Sequence, residues 1–113
     1  MDDLFQKIIK GEIPSQKVFE NEKVYAFKDI KPKAPIHILV VHKEQTANIM
    51  DTGADRAYIY VDLFMAVREI AVQLGIEEKG FRVIMNNGAD SGQEVFHMHI
   101  HLLAGKVFGP ITG

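Results

Sequence analysis

The chain has 113 residues, contains no cysteine, and shows no large excess of either charge. Without cysteine it can form no disulfide bond, use no thiolate nucleophile and bind no zinc through sulfur. Thirteen Lys and Arg residues stand against fifteen Asp and Glu residues, which leaves a formal charge of −2. Proteins that hold the phosphates of DNA or RNA need a basic excess, so we expect no nucleic-acid partner.

Long hydrophobic runs are also missing. No stretch approaches the roughly 18 apolar residues of a membrane span, so we expect no membrane partner. The first residues, Met1-Asp2-Asp3-Leu4, lack the basic and apolar regions of a signal peptide. We therefore expect a cytoplasmic protein. Hydrophobic residues at 47% and charged residues at 25% are typical of a globular chain, and the length fits one domain over residues 1–113.

Apolar periodicity divides the chain into short elements. Helical spacing predicts a short helix over residues 3–10 and a long helix from Ala57 to Leu74. Apolar, β-branched segments between turn residues predict strands over residues 16–20, 23–27, 36–41, 81–85 and 95–103. Hairpin-length links join most neighbouring strands. The sequence therefore predicts an α+β domain with a five-stranded, mostly antiparallel sheet, one long helix and one short helix.

The long helix carries a wide apolar stripe. Thr52-Gly53-Ala54-Asp55 resembles a capping box before it, and Gly75 is placed for a left-handed C-terminal cap. The stripe consists of Ala57, Tyr60, Leu63, Phe64, Val67, Ile70, Ala71 and Leu74. It fits a face that packs on the sheet, and it fits equally well an interface between two copies of the chain.

Three of the five histidines alternate with apolar residues in His97-Met98-His99-Ile100-His101. Side chains of a strand point alternately to its two faces, so the three imidazoles are expected to share one face. Phe96, Met98, Ile100 and Leu102 would then form the opposite, buried face. One side of this strand packs and the other presents imidazoles, a pattern that an isolated structural histidine does not produce.

A metal site is one explanation of the row. Alternate residues on a strand stand roughly 6.6 Å apart, whereas a zinc–imidazole bond is about 2.0–2.1 Å long. Two of the three histidines could therefore share an ion, but all three could do so only with distortion. Further ligands would have to come from His37 or from carboxylates, and no partner motif supplies them. We expect no metal and no other cofactor.

Nucleophilic catalysis is the favoured explanation. A neutral imidazole attacks phosphorus at pH 7 and forms a covalent intermediate, while neighbouring groups orient it and supply protons. The loop from Asn86 to Gln93, rich in glycine and asparagine, directly precedes the strand. Such loops point backbone N–H groups at phosphate oxygens, and phosphoryl-type transfer depends mainly on this positioning.

Four segments together resemble the histidine-triad (HIT) family. Gly92 to Leu103 resembles the family signature, and Ile8 to Pro14 resembles the N-terminal segment of its Hint-type phosphoramidase branch. Ala26 to Ile30 and Ala34 to Val40 resemble the central blocks of that branch. Phe96 directly precedes the triad, at the position where dinucleoside-polyphosphate hydrolases carry proline. This difference also favours the Hint type.

The resemblance assigns roles to four histidines. His99 matches the nucleophile that becomes nucleotidylated, and His101 matches the histidine that contacts the phosphate and the leaving group. His97 matches the first triad member and His37 the fourth histidine of the site, which would orient the nucleophile and set its tautomer. His42 has no counterpart and is expected at the surface.

The resemblance also implies nucleotide-binding residues and a homodimer. Asp29 and Ile30 would hold the ribose and base, with an apolar base cleft near Phe5, Ile8 and Phe27. Contacts to the phosphate and ribose would come from Asn86, Gly92, Gln93 and Glu94. Glu94 stands where many relatives have Ser or Thr, and its charge would repel a phosphate unless it points away.

The expected activity is hydrolysis of the P–N bond of purine nucleoside 5′-phosphoramidates, derivatives of AMP or GMP. The intermediate would be a nucleotidyl group on His99, and the product a nucleoside monophosphate. The alternative is a nucleotide-binding or scaffold protein without turnover. The intact row of histidines speaks against that alternative, because binding alone does not need a nucleophile.

Overall fold

A computed structural model describes residues 2–112 as an α+β arrangement. The helices within this range are α1 (Leu4–Ile9) and α2 (Tyr58–Leu74). Its strands are β1 (Lys17–Glu20), β2 (Val24–Lys28), β3 (Ile36–His42), β4 (Arg82–Ile84) and β5 (His99–Ala104). The five-stranded sheet has the order β1-β2-β3-β5-β4, and each neighbouring pair is antiparallel. The predicted fold class is confirmed.

The two faces of the sheet carry different helices. On one face α2 packs against alternate residues of the central strands, among them Val40 of β3 and Ile100 of β5. On the other face α1 inserts Phe5 and Ile8 beside Leu39 of β3. Because strand side chains alternate, His99 and His101, on either side of Ile100, point towards the α1 face. The pairing of β3 with β5 thus fixes which histidines can reach that face.

The long helix is apolar on both sides. Its buried residues are Ile59, Leu63, Ala66, Val67, Ile70 and Ala71, so the predicted stripe is confirmed only in part. Phe64, predicted to be within the stripe, is 52% exposed. The apolar spacing in the sequence could not distinguish the buried from the exposed side of α2, because valine, phenylalanine and methionine also occupy the exposed side.

The beginning of α2 differs from the prediction. The predicted capping box is wrong, because residues Ala54–Arg56 form a separate 3-10 turn before the α-helix. The Thr52 hydroxyl instead donates to the carbonyl of Asn48 at 2.8 Å and lies 2.6 Å from the Thr46 hydroxyl. The predicted end is confirmed, since Gly75 adopts φ 69° and caps the helix in the left-handed conformation.

The last strand is shorter than predicted at its beginning. β5 begins at His99, and the prediction of strand from Val95 is wrong. The preceding residues follow a different path, on which the Met98 N–H donates to the carbonyl of Thr46 at 2.7 Å. Phe96, predicted as core, is 50% exposed for the same reason. Among the residues described, no helix has the length and apolar character needed to cross a membrane.

Two glycines with positive φ test how tightly the end of β5 packs. At Gly105, with φ +96°, an added Cβ would stand 2.9 Å from the Cβ of Pro35. At Gly11, with φ +80°, it would meet nothing within 4 Å. We expect Gly11→Ala to lower the free energy of unfolding by about 1 kcal/mol through backbone strain alone. Gly105→Ala should cost about 2–3 kcal/mol because the clash adds to the strain.

Urea unfolding of both variants measures this difference. Equal losses of stability in Gly105→Ala and Gly11→Ala would contradict the close contact between Gly105 and Pro35.

Candidate active site

A cleft of about 700 Å³ opens on the sheet face that carries α1. Part of its lining is apolar and comes from α1, the following loop and β2. The polar part comes from the loop after β2, from β3, β5 and the loop before β5. The predicted site residues in this lining are Phe5, Ile8, Phe27, Asp29, Ile30, His37, Asn86, Gly92, Glu94, His99 and His101.

His99 is held in one tautomer at the first position of β5. Its side chain is buried, and its Nδ1 donates to the backbone carbonyl of His97 at 2.7 Å. A carbonyl oxygen only accepts hydrogen bonds, so the Nδ1 nitrogen carries the proton. In the neutral ring the lone pair is then on Nε2. Phe5 packs edge-on against the ring, with the centroids 5.0 Å apart.

Burial is the main reason why the pKa of His99 lies below its usual 6.5. A positive charge on His97 lowers the pKa of His99 further, whereas the bond to the His97 carbonyl and the Asp29 carboxylate act in the opposite direction. Near neutral pH the ring is therefore uncharged, with a lone pair available on Nε2. These are the properties that a histidine nucleophile needs.

His101 and His37 form a hydrogen-bonded pair behind the nucleophile. The backbone N–H of Lys33 donates to Nδ1 of His37 at 3.0 Å, so the His37 proton is on Nε2. That Nε2 lies 2.9 Å from Nδ1 of His101 and donates to it, which leaves the His101 proton on its own Nε2. The pair thus presents an N–H donor at the far end of His101.

Burial lowers the pKa of both rings of this pair. For His101 the pKa falls from 6.5 to about 4, chiefly through burial and then through the neighbouring His99 and His37. The pKa of His37 is lowered by burial, against the opposing effect of Asp29. Both rings are therefore uncharged at neutral pH.

Asp29 completes this corner of the cleft. Its Oδ2 is 3.4 Å from Nε2 of His37, and its Oδ1 accepts the backbone N–H of Lys31 at 2.8 Å. One ligand atom each from Asp29, His37 and His101 lies within 4.8 Å of the others, a spacing that a metal ion could use. The facing nitrogens of the two histidines already bond to each other, so the group is satisfied as a hydrogen-bonded relay.

His97 is on the same face as His99, since Phe5 packs against both rings, but it does not line the cleft and is not presented there as expected. The side chain is fully buried. Its Nδ1 is 2.9 Å from Oδ2 of Asp3, and its Nε2 is 2.7 Å from the backbone carbonyl of His42. The physical reason is that His97 precedes β5 and follows the path set by the bond from Met98 to Thr46.

The loop before β5 brings three of the four residues predicted there to the cleft. Asn86, Gly92 and Glu94 line it. The side chain of Gln93 is buried within the loop instead. Its Nε2 donates to the carbonyl of Ala47 at 2.8 Å, and its Oε1 accepts the N–H of Gly88 at 2.8 Å. Gln93 therefore shapes the loop rather than facing the cleft with its side chain.

Sequence reasoning missed two residues that support the histidines. His42 was expected at the surface, but it is only 2% exposed and its Nε2 bonds Oδ2 of Asp62 at 2.8 Å. Its place at the end of the apolar run of β3 is the signal that could have revealed burial. Asp3 caps α1 and bonds His97. Sequence shows the cap, but it cannot show a partner 94 positions away.

A buried imidazole that lines an apolar cleft with its lone pair on Nε2, next to two further hydrogen-bonded histidines, defines a site for nucleophilic histidine chemistry. Comparison with known proteins agrees with this class. The family model described as HIT domain matches residues 10–107. The chain belongs to the HIT domain family.

Relatives share both the sequence and the fold. The chain is 41% identical to a purine nucleoside phosphoramidase of Escherichia coli over 110 residues, 97% of this chain and 92% of the relative. A HIT family hydrolase from Legionella pneumophila superposes with a TM-score of 0.94 at 38% identity, covering 99% of this chain and 100% of that one. A histidine triad protein from Clostridium difficile gives a TM-score of 0.94 at 45% identity, covering 97% and 96%.

The lowered pKa values predict acid sensitivity. The unfolded chain takes up protons on His37, His99 and His101 at a higher pH than the folded chain does, because burial lowers the pKa of each in the fold. The free energy of unfolding should therefore fall as the pH drops below about 6.5. In His101→Gln the fall between pH 6.5 and about 4 should be shallower, because the group with that folded-state pKa is gone.

Urea unfolding across this pH range provides the measurement. The carboxylates titrate in both proteins and cancel in the comparison. Identical slopes for the two proteins would show that His101 is not held in its uncharged form.

Proposed function

We propose that this chain hydrolyses the P–N bond of purine nucleoside 5′-phosphoramidates through a nucleotidyl group on His99. The observation that carries the proposal is the fixed tautomer of His99, whose Nδ1 donates to the His97 carbonyl while its lone pair remains on Nε2. The name of the E. coli relative, purine nucleoside phosphoramidase, supports the same reaction for this chain. The product is a nucleoside monophosphate.

The cleft suits a nucleotide. Phe5, Ile8 and Phe27 provide an apolar wall on which a purine base can pack, and the exposed Ile30 stands at its rim. Asp29 offers a carboxylate to the ribose hydroxyls. We expect Asn86, Gly92 and the backbone around Glu94 and Gln93 to contact the phosphate and ribose, because loops of this kind bind phosphate through N–H groups. The Glu94 side chain is exposed, which allows it to turn from the phosphate.

The reaction takes two displacements. In the first, Nε2 of His99 attacks the α-phosphorus and the P–N bond breaks. The departing amine takes one proton from solvent by way of His101, which lines the cleft and carries its proton on Nε2. In the second, water attacks the phosphorus, the P–N bond to His99 breaks, and the proton released by water returns to solvent. This sequence uses only residues of the chain, so we propose that it needs no metal or cofactor.

Replacing the nucleophile should abolish turnover and spare binding. With adenosine 5′-phosphoramidate as substrate, His99→Ala should lower kcat by about a thousandfold or more, because the covalent path is lost. Binding of AMP, measured by calorimetry, should persist, since the apolar wall and the phosphate loop remain. AMP release by the unaltered protein should survive a chelator.

Three results would contradict the proposal. An active His99→Ala variant would refute the nucleophile, and loss of release on chelation would favour a metal site. Folded protein that binds AMP without releasing it from the phosphoramidate would favour the alternative of a nucleotide-binding or scaffold protein.

We also propose that the chain acts as a homodimer. The face of α2 opposite the core exposes apolar side chains one or two helical turns apart, including Val61 (60% exposed), Met65 (54%) and Val72 (55%). The edge strand β4 pairs only with β5 within the described sheet. A second copy could cover both features, and a chain of this size gains stability from such burial.

A charge placed on this face should separate the copies. Met65→Glu should give a monomer at micromolar concentration in sedimentation velocity, because a buried carboxylate without a partner is costly. Gln73→Glu, which adds the same charge to a polar position of α2, should leave the dimer intact. A monomeric unaltered protein would refute the assembly.

A further inference from the structure

The fully buried ring of His97 pairs with the partly buried carboxylate of Asp3, and the proposed reaction uses neither side chain. The His97 ring is fully buried, and both its nitrogens face oxygen atoms. Nε2 is 2.7 Å from the carbonyl of His42, which only accepts, so Nε2 carries a proton. Nδ1 is 2.9 Å from Oδ2 of Asp3, and a hydrogen bond at that distance also needs a proton between the two atoms. The pair therefore holds two protons in all.

Other contacts decide where the second proton resides. Oδ1 of Asp3 accepts the backbone N–H of Gln6 at 2.8 Å, and Oδ2 accepts Nε2 of Gln45 at 2.8 Å. Hydrogen-bond donors to both oxygens stabilise the carboxylate over the carboxylic acid. These contacts favour the proton on the ring, in an imidazolium–carboxylate pair of His97 and Asp3.

The pair of His97 and Asp3 is in contact with the segment that holds the nucleophile His99. The backbone carbonyl of His97 is the acceptor that fixes His99, and the adjacent Met98 N–H is tied to Thr46. On the other side, Asp3 is the N-cap of α1, whose Phe5 packs against both His97 and His99 at 5.8 and 5.0 Å between centroids. Through these contacts the Asp3 carboxylate connects Phe5, in the apolar wall of the cleft, with His97, whose carbonyl holds the nucleophile His99.

We infer that Asp3 is a positioning residue that holds His97 as an imidazolium, and that this cation keeps His99 uncharged and correctly oriented. The kinetic consequence rests on the function proposed above, whereas the protonation state of His97 does not. Asp3 acts through His97 and touches no reacting atom.

The charges around His99 determine the direction of the effect. His97 approaches it from the preceding segment, His101 from β5 and Asp29 from the loop after β2. A positive His97 is one cause of the lowered pKa of His99, after burial. Removing that charge should raise the pKa of His99 and leave more of the nucleophile protonated in mild acid.

Asp3→Asn removes the charge with little change of shape. Asparagine is a favoured N-cap, so it keeps the bond to Gln6, and its amide can donate to Nδ1 of a neutral His97. Asp3→Ser also keeps the cap but is too short to reach His97. Asp2→Asn is the matched control, because Asp2 is a neighbouring carboxylate that pairs with Lys10 at the surface.

Nitrogen-15 NMR of histidine-labelled protein tests the pair directly. At pH 7 we expect both ring nitrogens of His97 to be protonated in the unaltered protein and in Asp2→Asn, and only one in Asp3→Asn. A single protonated ring nitrogen in the unaltered protein would overturn the inference. This result is independent of turnover, so it separates a failure here from a failure of the proposed function.

The pH profile of kcat/KM for adenosine 5′-phosphoramidate tests the consequence. In Asp3→Asn and Asp3→Ser the acid limb should move to higher pH by about one unit, which lowers kcat/KM on that limb by about tenfold. The alkaline side should change little, and Asp2→Asn should match the unaltered protein. A loss of equal size at every pH would show that Asp3 is only a structural cap and would overturn the electrostatic role.

Discussion

The hydrogen bond from Nδ1 of His99 to the carbonyl of His97 is the constraint on which the site depends. It selects one of two tautomers, and it directs the remaining lone pair to Nε2. A backbone acceptor suits this task because it neither titrates nor changes rotamer. Its position is fixed in turn by the bond between Met98 and Thr46 and by the two contacts of the His97 ring.

The two faces of the sheet have different roles: one packs against α2 in the core, and the other carries the histidines of the cleft. Alternation along β5 gives Ile100 and Leu102 to the core under α2, and gives His99 and His101 to the cleft beside α1. The same burial that stabilises the fold lowers the pKa of the cleft histidines. Packing and reactivity are thus two consequences of a single pattern of apolar residues.

The sequence predicted the sheet and the orientation of the β5 side chains correctly wherever local periodicity determines them. Strand alternation correctly placed His99 and His101 opposite Ile100, and turn residues marked the elements of the sheet. The burial of Phe96 and the access of His97 to the cleft were predicted wrongly, because a long-range bond to Thr46 takes that segment out of the strand before His99. His42 and Asp3 escaped notice for a similar reason, since their partners are far away in the chain. The resemblance to the HIT family is confirmed by the family match. The cytoplasmic location and the preference for purines stay predictions.

The nucleotidyl intermediate is the central claim, and its direct capture is the most decisive measurement. Protein mixed with adenosine 5′-phosphoramidate would be quenched within milliseconds in alkali, in which phosphohistidine bonds survive, and then mapped by peptide mass spectrometry. We expect an adenylyl group on the peptide that carries His99, and on that residue alone. Steady turnover without an adduct, or an adduct on His101, would contradict it.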